Sequence, residues 1–236
     1  MKEAAAEDSL RTAWSVIRSG QGAATDATAR RRCLEYLART YREPAKAMVR
    51  AWGVRDEHEM EDLVQEYFAR FIERKWLDDL DEGRGSFRGF LRASVRHFLL
   101  NEKRRAQRRP PVVSLPGGQA EALASKGPTP EEEFDRAWAR VLMGDAVEAF
   151  REACRADGLD HYYGVFERHV LRPDDHGFPT YQDTAKALGK TPKDVENHLA
   201  RARRKFVGIL RERIRATVPS EDDVEAELLE LRRCYR

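Results

Sequence analysis

Apolar residues along this chain recur every three to four positions, and runs of strict apolar–polar alternation are scarce. That pattern predicts helices almost throughout. In the first half it predicts helices over Ala29–Tyr41 and Pro44–Ala51, then a longer one over Asp56–Lys75. The wide apolar face of the longer helix carries Met60, Leu63, Val64, Tyr67, Phe68, Phe71 and Ile72. Gly83 and Gly85 break the period within Asp78–Ser86, as a turn or loop does. A fourth helix, from Phe87 to about Arg105, is expected to bury Phe87, Phe90, Leu91, Ser94, Val95 and Phe98.

Arg109–Pro130 then holds five of the ten prolines and three glycines, a composition that buries too little surface to fold alone. Helical periods resume at Pro130–Glu131, where acids sit at the positive end of a helix running through Phe134, Trp138, Val141 and Leu142. Further helices are expected at Gly144–Arg155 and Tyr162–Leu171. After a loop, Arg172–Pro179, come Thr180–Ala187, Pro192–Arg215 and Glu221–Arg233. The expected fold is all-α: two helical domains joined by a flexible Pro-rich linker, the second containing a helix-turn-helix. The boundaries are an extension at 1–28, with a short helix at Leu10–Ile17, then a domain at 29–109, a linker at 110–130, a second domain at 131–216 and a helical extension at 217–236.

Charge changes this picture through its distribution. Charged residues make up 36% of the 236, yet the net charge is only +2. Basic residues gather in Lys103–Arg109 and Arg201–Arg215, acidic ones in Glu131–Asp135 and Ser220–Glu230, which suggests two local sites for a polyanion. Cys33, Cys154 and Cys234 are odd in number and far apart, so neither a disulfide framework nor a zinc site is expected. The start, MKEAAAEDSLRTAW, lacks a signal peptide's apolar stretch and no later run is long enough to span a membrane, so a cytoplasmic protein without membrane insertion is expected. No GxxxxGK, HExxH or GxSxG pattern appears. An enzyme using His161, His169, His176, Asp174 and Asp175 is the weaker competitor, because these residues follow no metal-ligand spacing. No catalytic group, metal or cofactor is expected.

The strongest local signal runs from Thr180 to Leu199. Ala185 is small where two crossing helices must approach closely. Gly189, four residues on, suits the left-handed conformation that stops a helix sharply, and Val195 plugs the angle between the helices. Thr191 as N-cap, Pro192 at the first helical position and Asp194 three beyond the cap make a capping box. This is helix-turn-helix spacing. The second helix offers Lys193, Asn197, His198, Arg201, Arg204 and Lys205 outside its apolar stripe. Arginine and asparagine can read base edges, and cations farther along can neutralise phosphates. A helical hairpin with a solvated basic face is the alternative. In the first half, Arg88, Arg92 and Arg96 fall four apart, in a stripe expected opposite the buried face, and Asn101, Lys103, Arg104 and Arg105 follow.

The runs DLVQEYFARF, RGSFRGFLRASVR and NEKRR resemble the second conserved region of the sigma-70 family of transcription initiation factors. The turn motif YQDTAKALGKTPKDVENHLARARRKF resembles the fourth. Their order, with only a short linker between, resembles the extracytoplasmic-function subfamily. The resemblance implies that Asp62, Gln65, Glu66 and Arg70 meet core RNA polymerase. It places Arg88, Arg92, Arg96, Asn101, Lys103, Arg104 and Arg105 along the minus-ten element, with the loop at 79–86 holding a flipped base. The Pro192–Arg204 helix would enter the major groove of the minus-thirty-five element. Core polymerase and promoter DNA are thus the implied partners, with an anti-sigma factor as a further candidate. The chain departs from the family pattern at Glu196 and His198, where basic residues are common, at Phe90, where tryptophan is, and at His97, where asparagine is frequent. A helix-turn-helix regulator that never touches polymerase is the competing function. The last helix, with Ser220 and Asp223 as a capping box and Val224, Leu228, Leu231 and Tyr235 as its apolar stripe, is expected to cover the second domain, with holding a partner as the alternative.

Overall fold

The computed structural model describes residues 27–73, 86–108, 127–172, 178–215, 217–218 and 220–235, and every regular element among them is helical. The protein is all-α. The expected helix at Leu10–Ile17, the glycine loop at 79–85, most of the linker and the Asp174–His176 segment lie outside the described residues, as do the side chains of Cys33 and Ile72. The chain divides into two compact units. The first takes the chain up to Val141 together with Ile214–Arg236, the second Leu142–Arg213.

In the first unit, α1 (Ala27–Ala51) is one helix where a break at Pro44 was expected. Pro44 deprives Thr40's carbonyl of its helical donor, which costs about 3 kcal/mol. Against that, Leu37, Tyr41, Ala45, Met48 and Val49 share one fully buried face. Each large apolar side chain so buried contributes about 1.5–3 kcal/mol, so the helix continues. Gly53, at φ 111°, turns the chain toward α2 (Glu57–Glu73), whose first turn is capped by Asp56 accepting from the Glu59 amide at 2.8 Å. Met60, Val64, Tyr67 and Phe71 form its buried face. Ser86 caps α3 (Phe87–Gln107), which buries Phe87, Leu91, Val95, Phe98 and Leu99. Tyr67 lies edge-on to Phe98 and its hydroxyl meets Ser94 Oγ at 3.1 Å, while Tyr41 meets Phe87 edge-on. Phe90, expected in the core, is half-buried between Phe71 and Phe87.

Thr129 and Glu132 cap each other's amides at the start of α4 (Pro130–Ala156). The two helices expected here are again one. Gly144 sits exposed in its interior, a defect worth about 1 kcal/mol that buried Leu142, Ala146, Phe150 and Cys154 outweigh. The last helix, α8 (Glu221–Cys234), belongs to the first unit, where the sequence suggested the second. Val224, Leu231 and, between them, Glu227 are its buried residues.

In the second unit, Gly158 (φ 68°) links the end of α4 to α5 (Asp160–Phe166). The helix then widens into a π-helical turn, Glu167–Leu171, closed by the Arg172 amide donating to Glu167's carbonyl. Next come α6 (Tyr181–Leu188) and α7 (Pro192–Arg215). Phe150, Phe166 and Phe206 form an aromatic triangle, with ring centroids 4.8 to 5.9 Å apart. Val165, Ala185, Val195 and Leu199 make a second buried cluster, which clamps α5, α6 and α7 together.

Candidate nucleic-acid interface

The turn between α6 and α7 forms as its residues dictate. Gly189 adopts φ 61°, ψ 37°, a left-handed conformation that any side chain would strain, and the Lys190 amide bonds back to Ala185's carbonyl. Ala185 and Val195, at the crossing, are both buried. Thr191 Oγ1 accepts from the Asp194 amide at 3.1 Å, and the Asp194 carboxylate accepts from the Thr191 amide at 3.1 Å. The Thr191 hydroxyl and amide hold Asp194's carboxyl below the usual carboxylate range. Thr180 and Asp183 form the same reciprocal cap at the head of α6.

The six side chains singled out on α7 are not equivalent. Asn197, Arg201 and Arg204 are exposed, and so is Lys193, which pairs with Glu196 one turn on at 2.7 Å. Lys205 is drawn to Asp157 at 2.5 Å. His198 turns inward: its ring lies 4.7 Å from that of His161 and 5.2 Å from Tyr162, and its Nδ1 is buried without a hydrogen-bond partner. Burial, reinforced by the neighbouring His161, pushes its pKa down. His198 therefore packs against α5 rather than standing in the outward row. Tyr162 also accepts a hydrogen bond from Arg201 Nη1 at 3.1 Å, so one buried phenol steadies two residues of the α7 row. Sequence reasoning passed over Tyr162, because an apolar-face tyrosine looks like plain core. It also passed over Arg203, exposed on α7 and close enough to lower the pKa of His169, after burial itself.

His169, on the π-helical turn, meets Thr184 Oγ1 at 2.9 Å and the ring of Tyr181 at 5.2 Å. That turn thus positions a side chain against α6. Among the described residues no group of three or more His, Cys, Asp or Glu is placed to hold a metal ion.

In the first unit, Asp62 and Gln65 of α2 are exposed. Glu66 and Arg70 pair with each other at 2.5 Å, and Arg70 also reaches Glu102 of α3 at 2.6 Å while lying over the Phe98 ring. Arg105 sits 4.0 Å from both Glu66 and Glu102, so residues expected to face different partners share one network. Asn101 and Arg104 are exposed, and Lys103 is half-buried.

The stripe Arg88, Arg92, Arg96 departs most from expectation. Arg88 is not opposite the buried face; it is 4% exposed. Its Nε and Nη2 donate to Glu227 at 2.8 and 3.1 Å, Nη1 donates to Asp135, and the guanidinium lies over the Trp138 ring, 4.7 Å from its centroid. Burial alone would lower its pKa, but the two carboxylates outweigh that and raise it. Arg92 also pairs with Asp135, and Arg96 with Glu131 at 2.8 Å. The positive charge of Arg88 persists in the core because acids neutralise it in place. The sequence hid this because a helical row of arginines looks the same whether it faces water or carboxylates.

The match to a known family covers α1 to α3. Residues 37–109 fit the family model described as Sigma-70 region 2. This region-2-like segment begins at Leu37, on the buried face of α1, and ends just beyond α3. No curated protein and no solved structure matches the chain. No helix among the described residues is long and apolar enough to cross a membrane.

Proposed function

We propose that the chain is a sigma factor of the extracytoplasmic-function type: it binds core RNA polymerase, directs it to promoters and leaves the chemistry to the polymerase. The observation that carries this reading is the fit of residues 37–109 to sigma-70 region 2, over helices that leave Asp62 and Gln65 exposed for polymerase. The tight α6–α7 turn supports it independently. In the proposal, α7 enters the major groove of the minus-thirty-five element with Asn197, Arg201 and Arg204 toward bases and backbone. The end of α3, with Arg96, Asn101, Lys103, Arg104 and Arg105, follows the minus-ten strand.

Melting a promoter costs about 1.4 kcal/mol per base-pair step in lost stacking. Only a factor that holds the single strand better than the duplex shifts that equilibrium. Core polymerase supplies the remaining contacts. Run-off transcription with the core enzyme of the same organism tests the reading: promoter-specific starts are expected with the chain and not without it. If no specific start appears although the core still transcribes nicked DNA, the reading falls.

A second reading is a DNA-binding regulator that does not touch polymerase. The internal pairing of Glu66 with Arg70 favours it, since two of the four residues assigned to polymerase are already engaged. Co-purification with core polymerase, lost in the Asp62→Ala/Gln65→Ala variant, decides for the sigma factor. Absence of any complex decides for the regulator.

A further inference from the structure

Arg88, Arg92 and Arg96 stand at four-residue intervals on α3, and each is met by a carboxylate from far along the chain. The acids of α4, Glu131 and Asp135, are also four apart. The pairing runs backward along α4 as it runs forward along α3: Trp138 and Asp135 at Arg88, Asp135 at Arg92, Glu131 at Arg96. That is the register of two antiparallel helices with matched ladders of opposite charge.

A carboxylate and a phosphate present similar oxygens to a guanidinium, and both take its paired N–H donors. We propose that Glu131 and Asp135 are an internal competitor for the nucleic-acid backbone. A strand gains Arg96 by displacing Glu131 and Arg92 by displacing only the Oδ2 contact of Asp135, while Asp135 Oδ1 and Glu227 stay on Arg88 and keep α8 in place. This rests on α3 being a DNA-facing helix, as in the proposed function, and adds how that face is regulated.

The exposure of the three arginine side chains, 5%, 34% and 49% from Arg88 to Arg96, sets the order of exchange. Opening the Arg88 pair would strand a charge away from water, so it holds. Exposed pairs are weak, because water competes for both partners and salt screens them. Exchange begins at Arg96 and stops short of Arg88. In this arrangement the chain alone is a poor ligand for nucleic acid along α3, and a strand already held nearby by polymerase tips the exchange.

The test measures binding of a labelled mixed-sequence single-stranded oligonucleotide to the full chain. Glu131→Gln/Asp135→Asn is expected to bind roughly five-fold more tightly than wild type, the effect of releasing two partly exposed pairs. Adding Arg92→Ala/Arg96→Ala should abolish that gain. Glu43→Gln/Asp145→Asn, which removes the same charge from two exposed acids outside the ladder, controls for net charge. A double variant that binds like wild type, or no better than this control, overturns the proposal. Asp135 also supports Arg88, so Glu131→Gln alone, at the most exposed pair, keeps the result independent of folding; no gain there counts equally against it. Run-off transcription on the same preparations separates the two ideas. Specific initiation without a gain in Glu131→Gln sinks the competitor alone, and no initiation by wild type sinks the proposed function and the competitor with it.

Discussion

Two helices of this chain carry arginines at close intervals and treat them differently. On α3 the row Arg88, Arg92, Arg96 is matched by Asp135, Glu131 and Glu227, and its first member lies in the core. On α7, Arg201 and Arg204 are exposed; Arg201 donates to the uncharged hydroxyl of Tyr162, and the acid nearest in the row, Glu196, takes Lys193. Net charge does not distinguish the helices. The difference is that distant carboxylates meet all three arginines on α3, whereas on α7 the distant acid Asp157 takes Lys205 at the end of the row. One row is consumed largely by folding, and the other keeps Arg201 and Arg204 exposed.

The sharpest way to break this comparison is Arg88→Ala. It strands Glu227 and Asp135 without their cation, so urea denaturation should show a loss of about 3–5 kcal/mol. Replacing Arg88 and Glu227 together by Met and Leu should recover most of it. Arg204→Ala, on the open row, should change stability by less than about 0.5 kcal/mol. Equal small losses at both sites would mean that the α3 row is not closed.

The turn that presents the open row gives the next effect. Gly189→Ala keeps a left-handed φ with a Cβ attached and should lower stability by about 1–2 kcal/mol, seen as an earlier urea transition. The added methyl meets no neighbouring atom within 4 Å, so any loss reports backbone strain rather than a clash.

Salt dependence then compares the rows as ligand surfaces. Removing Arg204 should reduce the slope of log K against log salt for duplex DNA by about 0.9. Removing Arg92 should reduce it by clearly less, because Asp135 already offsets that charge. Equal slopes would erase the distinction.

The smallest effect is a pH dependence in the second unit. His169 and His198 both have pKa values lowered from 6.5, chiefly by burial. The unfolded chain therefore takes up protons more readily. Stability contributed by the neutral imidazoles is full above 6.5 and declines as the pH falls through that value toward the folded pKa. His169→Gln/His198→Gln should flatten this decline in melting temperature. A double variant with the wild-type profile would rule these imidazoles out as its cause.

Much was legible in the sequence because it is local. The helical period placed α2, α3, α6, α7 and α8 to within a residue or two, and the α6–α7 turn followed from Gly189, Thr191, Pro192 and Asp194, whose partners lie within four residues. The joins of α1 and α4 were misjudged for a different reason. Pro44 and Gly144 weaken a helix locally, and only the burial of both flanks shows that the helix survives them. Likewise, the inward turn of His198 depends on His161 and Tyr162, more than thirty residues earlier.

By itself, then, the sequence determined where helices run, how they start and stop, and which faces are apolar, since each depends on interactions within about one turn. Tertiary structure alone decided that α8 joins the first unit and that Glu227, set between Val224 and Leu231, enters the core to meet Arg88 from 139 positions away. A buried charge is stable only when its partner is present, and nothing in the residues around either charge records that the other will arrive.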